Sequence, residues 1–563
     1  MRTCPGWIRL ALLIAFTLAM TGQARAAAEP EEHHAHMHQA AGASPRAPLF
    51  NNLGTYHRAI TTKSPQAQRY FDQGMRLMWG FNLEEAQRSF EEASRLDSTC
   101  AMCAWGVAFS LGPHINLPGI PERTRPAFHA AEKAVSLESG ASDVERALID
   151  AMAKRYCDPP PADPKGQYAL DSTYAAAMKE VAARFPDDND VLALYVEGLM
   201  DLHPWDYWTS DGTEQPWTPE IVGDLEKILA RDPNHPGANH YYIHAVEASP
   251  HPEKALPSAD RLRDLMPGAG HLVHMPAHIY ERIGRYDDAV TANRKAVESD
   301  RAYAAMAKPQ GFYHMYMSHN SHFLSWTYMV QGRSAEAIRA SRAAAALVSP
   351  EMARTMQGTD FFIAEPMFAM ARFGKWEDLL KEPAPPEGLP YMRGIWHYTR
   401  GLAQTAKGQV DEAQSSRDSL AAIRDATPED AIEDLNSAKA LLTIALDLLS
   451  GEIAFKRGDK DEAVRLLQEA VKGEDATRYS EAADWIYPAR HHLGKALLAA
   501  GRAPEAEAVY RDDLKLNPEN GWSLFGLAQS LRAQEKMAEA AEVEARFKRA
   551  WAKADVKITA SAF

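Results

Sequence analysis

At 563 residues the chain exceeds what one hydrophobic core can organise, so several domains or a repeat array are expected. Hydrophobic residues make up 46% and charged residues 24%, the balance of a folded soluble protein. A net charge of −15 argues against a nucleic-acid partner, which calls for clustered Lys and Arg, and four cysteines are too few for a disulfide framework.

Taken in chain order, the N-terminus reads as a targeting segment. Arg2 and Arg9 flank a basic start, residues 10–20 are apolar, and Ala24 and Ala26 fit an A-x-A cleavage pattern. The run is too short to be a comfortable membrane span. Residues 1–26 are therefore expected to be a cleaved signal peptide, giving a periplasmic or secreted protein with no transmembrane segment after cleavage. Cys4 leaves with it, and Cys100, Cys103 and Cys157 remain. Residues 27–48 have almost no large apolar side chains and predict a disordered leader. It carries HHAHMH at 33–38, a composition suited to soft metals such as copper.

From about residue 67 a pattern returns at roughly 34-residue spacing. Gly74, Leu77, Ala86, Phe90, Ala93 and Ser98 form one copy. Ala277, Tyr280, Gly284, Ala289, Asn293 and Ala296 form another, and Ser325, Tyr328, Gly332, Ala337, Ser341 and Ala344 a third. Later copies centre on Ala413, Ala463, Ala506 and Ala540. On these residues the chain resembles the tetratricopeptide repeat family over about 67–555. The resemblance implies an all-α fold, a right-handed α-solenoid of helix pairs in which helix A lines a concave groove. Repeat units of this kind bury their apolar faces only against neighbours, so stacking is compulsory. The expected organisation is an N-terminal array at 49–382, a Pro-rich break at 383–393 and a C-terminal array at 394–563. Pro/Gly-rich interruptions at 112–121, 157–166 and 203–219 depart from a regular array, and the last holds Trp205, Trp208 and Trp217. Long loops in compact repeats are usually functional or disordered.

Nine of the 21 histidines lie between 240 and 322. Counted back from the repeat alanines Ala255, Ala289 and Ala337, His240, His274 and His322 fall at repeat position 5. His244 and His278 fall at position 9, and His271 and His319 at position 2. The family resemblance puts these positions on the concave face. Helical spacing independently places i, i+3, i+4 and i+7 on one face. An i, i+4 imidazole pair with a third imidazole from the next helix makes a three-ligand transition-metal site. Copper, zinc and iron all suit imidazole. The expected ligands are His240, His244, His274 and His278, with His271, His319 and His322 as further ligands or a second site. His251 falls in a helix A–B turn and His314 is out of phase.

Glu247 and Glu281 each follow a candidate ligand by three residues and are candidates for an outer-shell partner or a general base. No P-loop, G-x-S-x-G or H-E-x-x-H motif occurs. Three functions follow. The first is an exported bacterial scaffold that binds a transition metal and engages a peptide, protein or small-molecule ligand in its groove. The second is a metalloenzyme, hydrolase or oxidase, on the same histidines. The third is a metal-free interaction scaffold.

Overall fold

The structure is a computed structural model and describes residues 46–117, 119–309, 311–356 and 358–563. The predicted signal peptide and the HHAHMH stretch lie outside the described residues. Within them the chain is a stack of antiparallel helix pairs, an all-α solenoid. Pro65–Trp79 packs on Leu83–Leu96, Ala101–Ser110 on Pro121–Leu137, Asp143–Met152 on Pro164–Arg184 and Asn189–Leu202 on Thr218–Arg231. Pro236–Val246 then packs on Leu256–Leu265. Gly270–His274 with Pro276–Arg282 packs on Tyr286–Ala307, and Tyr313–Val330 on Ser334–Ala345. Pairs beginning at Asp360–Arg372, Pro390–Ala406, Ala438–Arg457, Ala489–Ala499 and Gly521–Ala533 complete the array. One two-residue hairpin, Ile432–Glu433 against Asn436–Ser437, precedes helix Ala438–Arg457.

Local chemistry explains the boundaries. Ser64, Asn82 and Ser142 occupy N-cap positions and accept from the N–H groups of Ala67, Glu85 and Glu145. Glu145 returns the bond to Ser142, forming a capping box. The repeat's small residues set how closely helices approach. Gly74 and Gly106 lie on successive A helices with the Phe90 ring between them, and a Cβ at either would overlap that ring. Gly494 and Gly526 hold Tyr510 in the same way, and Phe90 and Tyr510 are fully buried.

The stack curls until both ends close on its middle. Phe312 donates its N–H to Glu84, and Tyr303 its hydroxyl to Glu85 at 3.2 Å. At the other end Trp522 Nε1 donates to the Met329 carbonyl at 2.9 Å, and the Asp555 carboxylate accepts from the N–H groups of Ser334 and Ala335. The concave side is thereby closed over: long A–B turns and later repeats reach the histidine-bearing helices, as Trp205 and Glu481 do at His244. The loops around 112–120 and 203–217 are two of those turns. Residues 46–48, assigned to the disordered leader from sequence, are tied down, with the Ala47 carbonyl accepting from Tyr70 and that of Pro48 from Gln73. Cys100 and Cys103 are joined by a disulfide. Residues 383–389 are non-helical between Trp376–Leu379 and Pro390–Ala406. Among the described residues no helix is long and apolar enough to cross a membrane.

Truncating Phe90 to Ala empties the space two glycines were selected to leave. The substitution is expected to cost about 3–5 kcal/mol, read as a shift of the denaturant midpoint. A loss under about 1 kcal/mol would show that the Gly74–Phe90–Gly106 contact does not set the repeat spacing.

Candidate metal centre

Helix Pro236–Val246 begins with Pro at its first turn, and the His235 side chain caps it by accepting the Ala238 N–H at 3.0 Å. His235 Nε2 is in turn 3.0 Å from the Asp190 carboxylate. This start directs His240 and His244, one helical turn apart, into the interior. Gly237 lies flat on the Trp79 indole, and that approach brings the Trp79 carbonyl to His240 Nδ1 at 2.7 Å. In the next repeat the A helix is interrupted at Met275–Pro276, because proline has no N–H for the ladder. His274 and His278 nevertheless remain one turn apart, and His271 precedes them on the same strip.

The seven predicted histidines do not form one cluster. His240, His244 and His271 make one triad, and His274, His278 and His319 a second, each with ring nitrogens within 4.8 Å of one another. In the first, His240 Nε2 is 3.1 Å from both His244 Nε2 and His271 Nε2. In the second, His274 Nε2 and His278 Nε2 are 2.7 Å apart. A tetrahedral ion with metal–nitrogen bonds of about 2.0–2.1 Å separates its ligand nitrogens by roughly 3.3 Å, close to these spacings. The expectation of His240, His244, His274 and His278 as a joint first shell is thereby corrected. Each triad takes positions 5 and 9 from one A helix and position 2 from the next.

The same rule explains His322. It stands at position 5, but Trp326 occupies its position 9 and no histidine comes from the following helix. His322 instead lies 3.1 Å from the Glu365 carboxylate, against Phe361 and Phe362, and belongs to neither triad. His251 is exposed beside Glu253 in its turn.

The second nitrogen of four imidazoles is tied to an acceptor. His240 Nδ1 faces the Trp79 carbonyl, and His274 Nδ1 faces Asn293 Oδ1 at 2.6 Å. His244 Nδ1 lies 2.9 Å from Glu247 Oε1 and 3.0 Å from Glu481 Oε1. His278 Nδ1 lies 2.7 Å from Glu247 Oε2. Carbonyl and carboxylate oxygens only accept, so these Nδ1 atoms carry a proton, and Nε2 is the nitrogen each ring can offer to a metal. Glu247 thus serves both triads with its two oxygens, and Tyr479 donates its hydroxyl to it at 2.7 Å. Glu247, Glu481 and His244 also form a third group able to hold an ion, one that would use the nitrogen facing the carboxylates. Glu281, the other carboxylate candidate, is hydrogen-bonded to the Thr327 hydroxyl. Burial pushes its pKa up to about 8.

Electrostatics follow from the enclosure. His240, His244, His271, His274 and His278 are almost wholly buried; His319 keeps 16% of its side chain exposed. Burial, then the neighbouring imidazoles, hold His240, His271, His274 and His319 well below the usual histidine range, so they stay neutral. For His244 burial is outweighed by Glu481 and Glu247, which raise it. Burial opposes ionisation of Glu247, but the neighbouring His278 imidazole and the hydrogen bonds it accepts hold it well below the carboxylate range. Burial and then Glu247 push Glu481 well above it. Phe81 lies against the first triad, with ring centroids 4.4, 6.2 and 5.5 Å from His240, His244 and His271, and its φ of 55° is unusual for a side chain of this size. Phe323 lies 4.6, 4.5 and 4.8 Å from His274, His278 and His319.

Sequence reasoning missed Trp79, Phe81, Tyr479 and Glu481. Glu481 is 237 positions from His244, and nothing local to it marks a role. The two long turns did carry a signal. Trp205 sets its edge on His244 at 5.1 Å, and Asn116 donates to the hydroxyl of Tyr316, whose ring lies 4.5 Å from His271.

Glu247→Gln turns an amide N–H toward one of two buried imidazole N–H groups. It is expected to destabilise the protein by about 1–3 kcal/mol in a denaturant titration. Glu281→Gln keeps an acceptor for Thr327 and removes a carboxyl that burial penalises, so its expected cost is smaller. The reverse order would show that Glu247 does not join the two histidine helices.

Residues 273–303, which span the second triad's first two histidines, match the family described as tetratricopeptide repeat. No curated protein sequence matches the chain. Among solved structures, the human IFIT1 dimer with m7Gppp-AAAA is 14% identical, covering 87% of this chain and 91% of its own, with a TM-score of 0.33. A Rap protein complexed with competence and sporulation factor is 16% identical over 68% of this chain and 93% of its own, with a TM-score of 0.35. The Cut9–Hcn1 hetero-tetramer of APC/C is 12% identical over 86% and 76%, with a TM-score of 0.30. Scores this low carry no argument about what this chain binds. The chain thus carries a matched tetratricopeptide repeat inside a stack of paired helices that runs through the described residues.

Proposed function

We propose that this repeat protein is an exported scaffold that holds a transition-metal ion, copper, zinc or iron, in its buried imidazoles. One observation carries the reading. Within each triad two Nε2 atoms face one another from 3.1 or 2.7 Å, while their Nδ1 protons are held by carbonyl, amide or carboxylate oxygens. A proton or a metal cation between the nitrogens makes such a contact favourable, and the convergence of three imidazoles on one point in each triad suits the metal. Neutral imidazole is the form that ligates, and burial favours it. The outer carboxylate, amide and carbonyl partners are the kind that orient metal-bound histidines.

Export rests on the N-terminal pattern of residues 1–26 alone. The scaffold role rests on the repeat architecture, whose outer helix faces offer surfaces to a peptide or protein partner. The enzyme reading finds less support. Glu247 is committed to two imidazoles and Glu281 to Thr327, so neither is placed as a general base.

The test is elemental analysis of untagged protein lacking residues 1–45, beside a His240→Ala, His274→Ala double variant. Tightly held copper, zinc or iron in the parent and none in the double variant is expected, with helicity retained by circular dichroism. A parent that takes up no metal on reconstitution would leave a metal-free interaction scaffold as the function.

A further inference from the structure

We infer that the two imidazole triads fill together, as a coupled pair of transition-metal ions joined through the Glu247 carboxylate. The inference rests on the metal-binding reading above and deepens it: the cofactor is dinuclear.

The triads share a wall. His244 of the first and His278 of the second have ring centroids 5.7 Å apart, and His271 and His274 are 5.9 Å apart. Within the first triad alone His244 and His271 are separated by 6.2 Å, so the gap between triads is no wider than the gap inside one. Two-metal sites in proteins hold their ions about 3.5–4 Å apart, a spacing that adjoining triads of this kind can reach. The construction is also duplicated. Each triad draws on two successive A helices, and each has one phenylalanine against all three rings.

The link between them is specific. Glu247 Oε1 takes the proton of His244 Nδ1 at 2.9 Å and Oε2 that of His278 Nδ1 at 2.7 Å. Glu481 reaches the same two nitrogens at 3.0 and 3.2 Å. Charge drawn from one imidazole by an ion is therefore felt by the carboxylate that polarises the other. The groups within ion-pair distance of these two buried carboxyls are imidazoles, so cations beyond them lower the cost of the buried negative charge. Ions and a small exogenous anion reach the pair from the His319 side, where the one partly exposed imidazole stands.

The experiment reconstitutes the mature protein with His33, His34, His36 and His38 replaced by Gln, so that the leader takes no copper, with Cu(II), then measures copper per chain and the integrated electron paramagnetic resonance signal. Two copper ions per chain are expected, with a signal that falls below the copper content or is broadened by the neighbouring ion. His319→Gln is expected to leave one ion with an ordinary isolated spectrum, and Glu247→Gln to keep two ions with affinity lowered about 10–100-fold. One ion per chain at saturation would overturn the pair while leaving the single-metal reading intact. Two ions whose spectrum is the sum of isolated sites would overturn the coupling. No copper at all would overturn both readings. The spectrum of this leader-substituted parent decides the question even where a further variant fails to fold.

Discussion

The carboxylate of Glu247 is the contact on which the interior depends. It lies at the end of one histidine helix, accepts from a ring on that helix and from a ring on the next, and takes the Tyr479 hydroxyl from the far end of the chain. A buried carboxylate is tolerable only when every lone pair is used. Here, filling them brings two repeats and a distant loop to one point. The orientation of His244 and His278, one in each triad, then follows, since a ring whose Nδ1 is held has only its Nε2 to offer.

Closure of the solenoid makes that interior dry. Repeat proteins usually present a concave surface, because each unit contacts only its neighbours. This chain breaks the rule at both ends: Glu84 and Glu85 dock on residues 303–312, and Trp522 and Asp555 on residues 329–335. The long A–B turns fill what remains, and Phe81 and Phe323 shield the nitrogens. Desolvation favours the neutral form of His240, His271, His274 and His319, the form that ligates a metal. The site is thus a consequence of the curl, and an open array with the same histidines would have left them hydrated.

Much of this was legible along the chain. The repeat period, the small residues at Gly74, Ala86 and Ala93, and the i, i+4 pairs His240–His244 and His274–His278 are written in spacing, because helix geometry converts spacing into a shared face. His322, expected as a further ligand, was misplaced, although Trp326 holds the place where its partner would stand. The division into two triads was not. It requires knowing that position 2 of each A helix reaches back to positions 5 and 9 of the preceding one, a relation between helices that no single helix encodes.

By itself, then, the sequence determined an all-α repeat array, its rough boundaries and which helix face carries the histidines, since those follow from local periodicity and burial of apolar stripes. Tertiary structure alone decided that the groove is closed, that Glu247 outranks Glu281, and that Glu481, Tyr479, Trp79 and Phe81 complete the site. Glu481 meets His244 across 237 residues of chain. Such a contact depends on curvature summed over many repeats, and small rotations at each interface, invisible in any one repeat, set where the last repeats land.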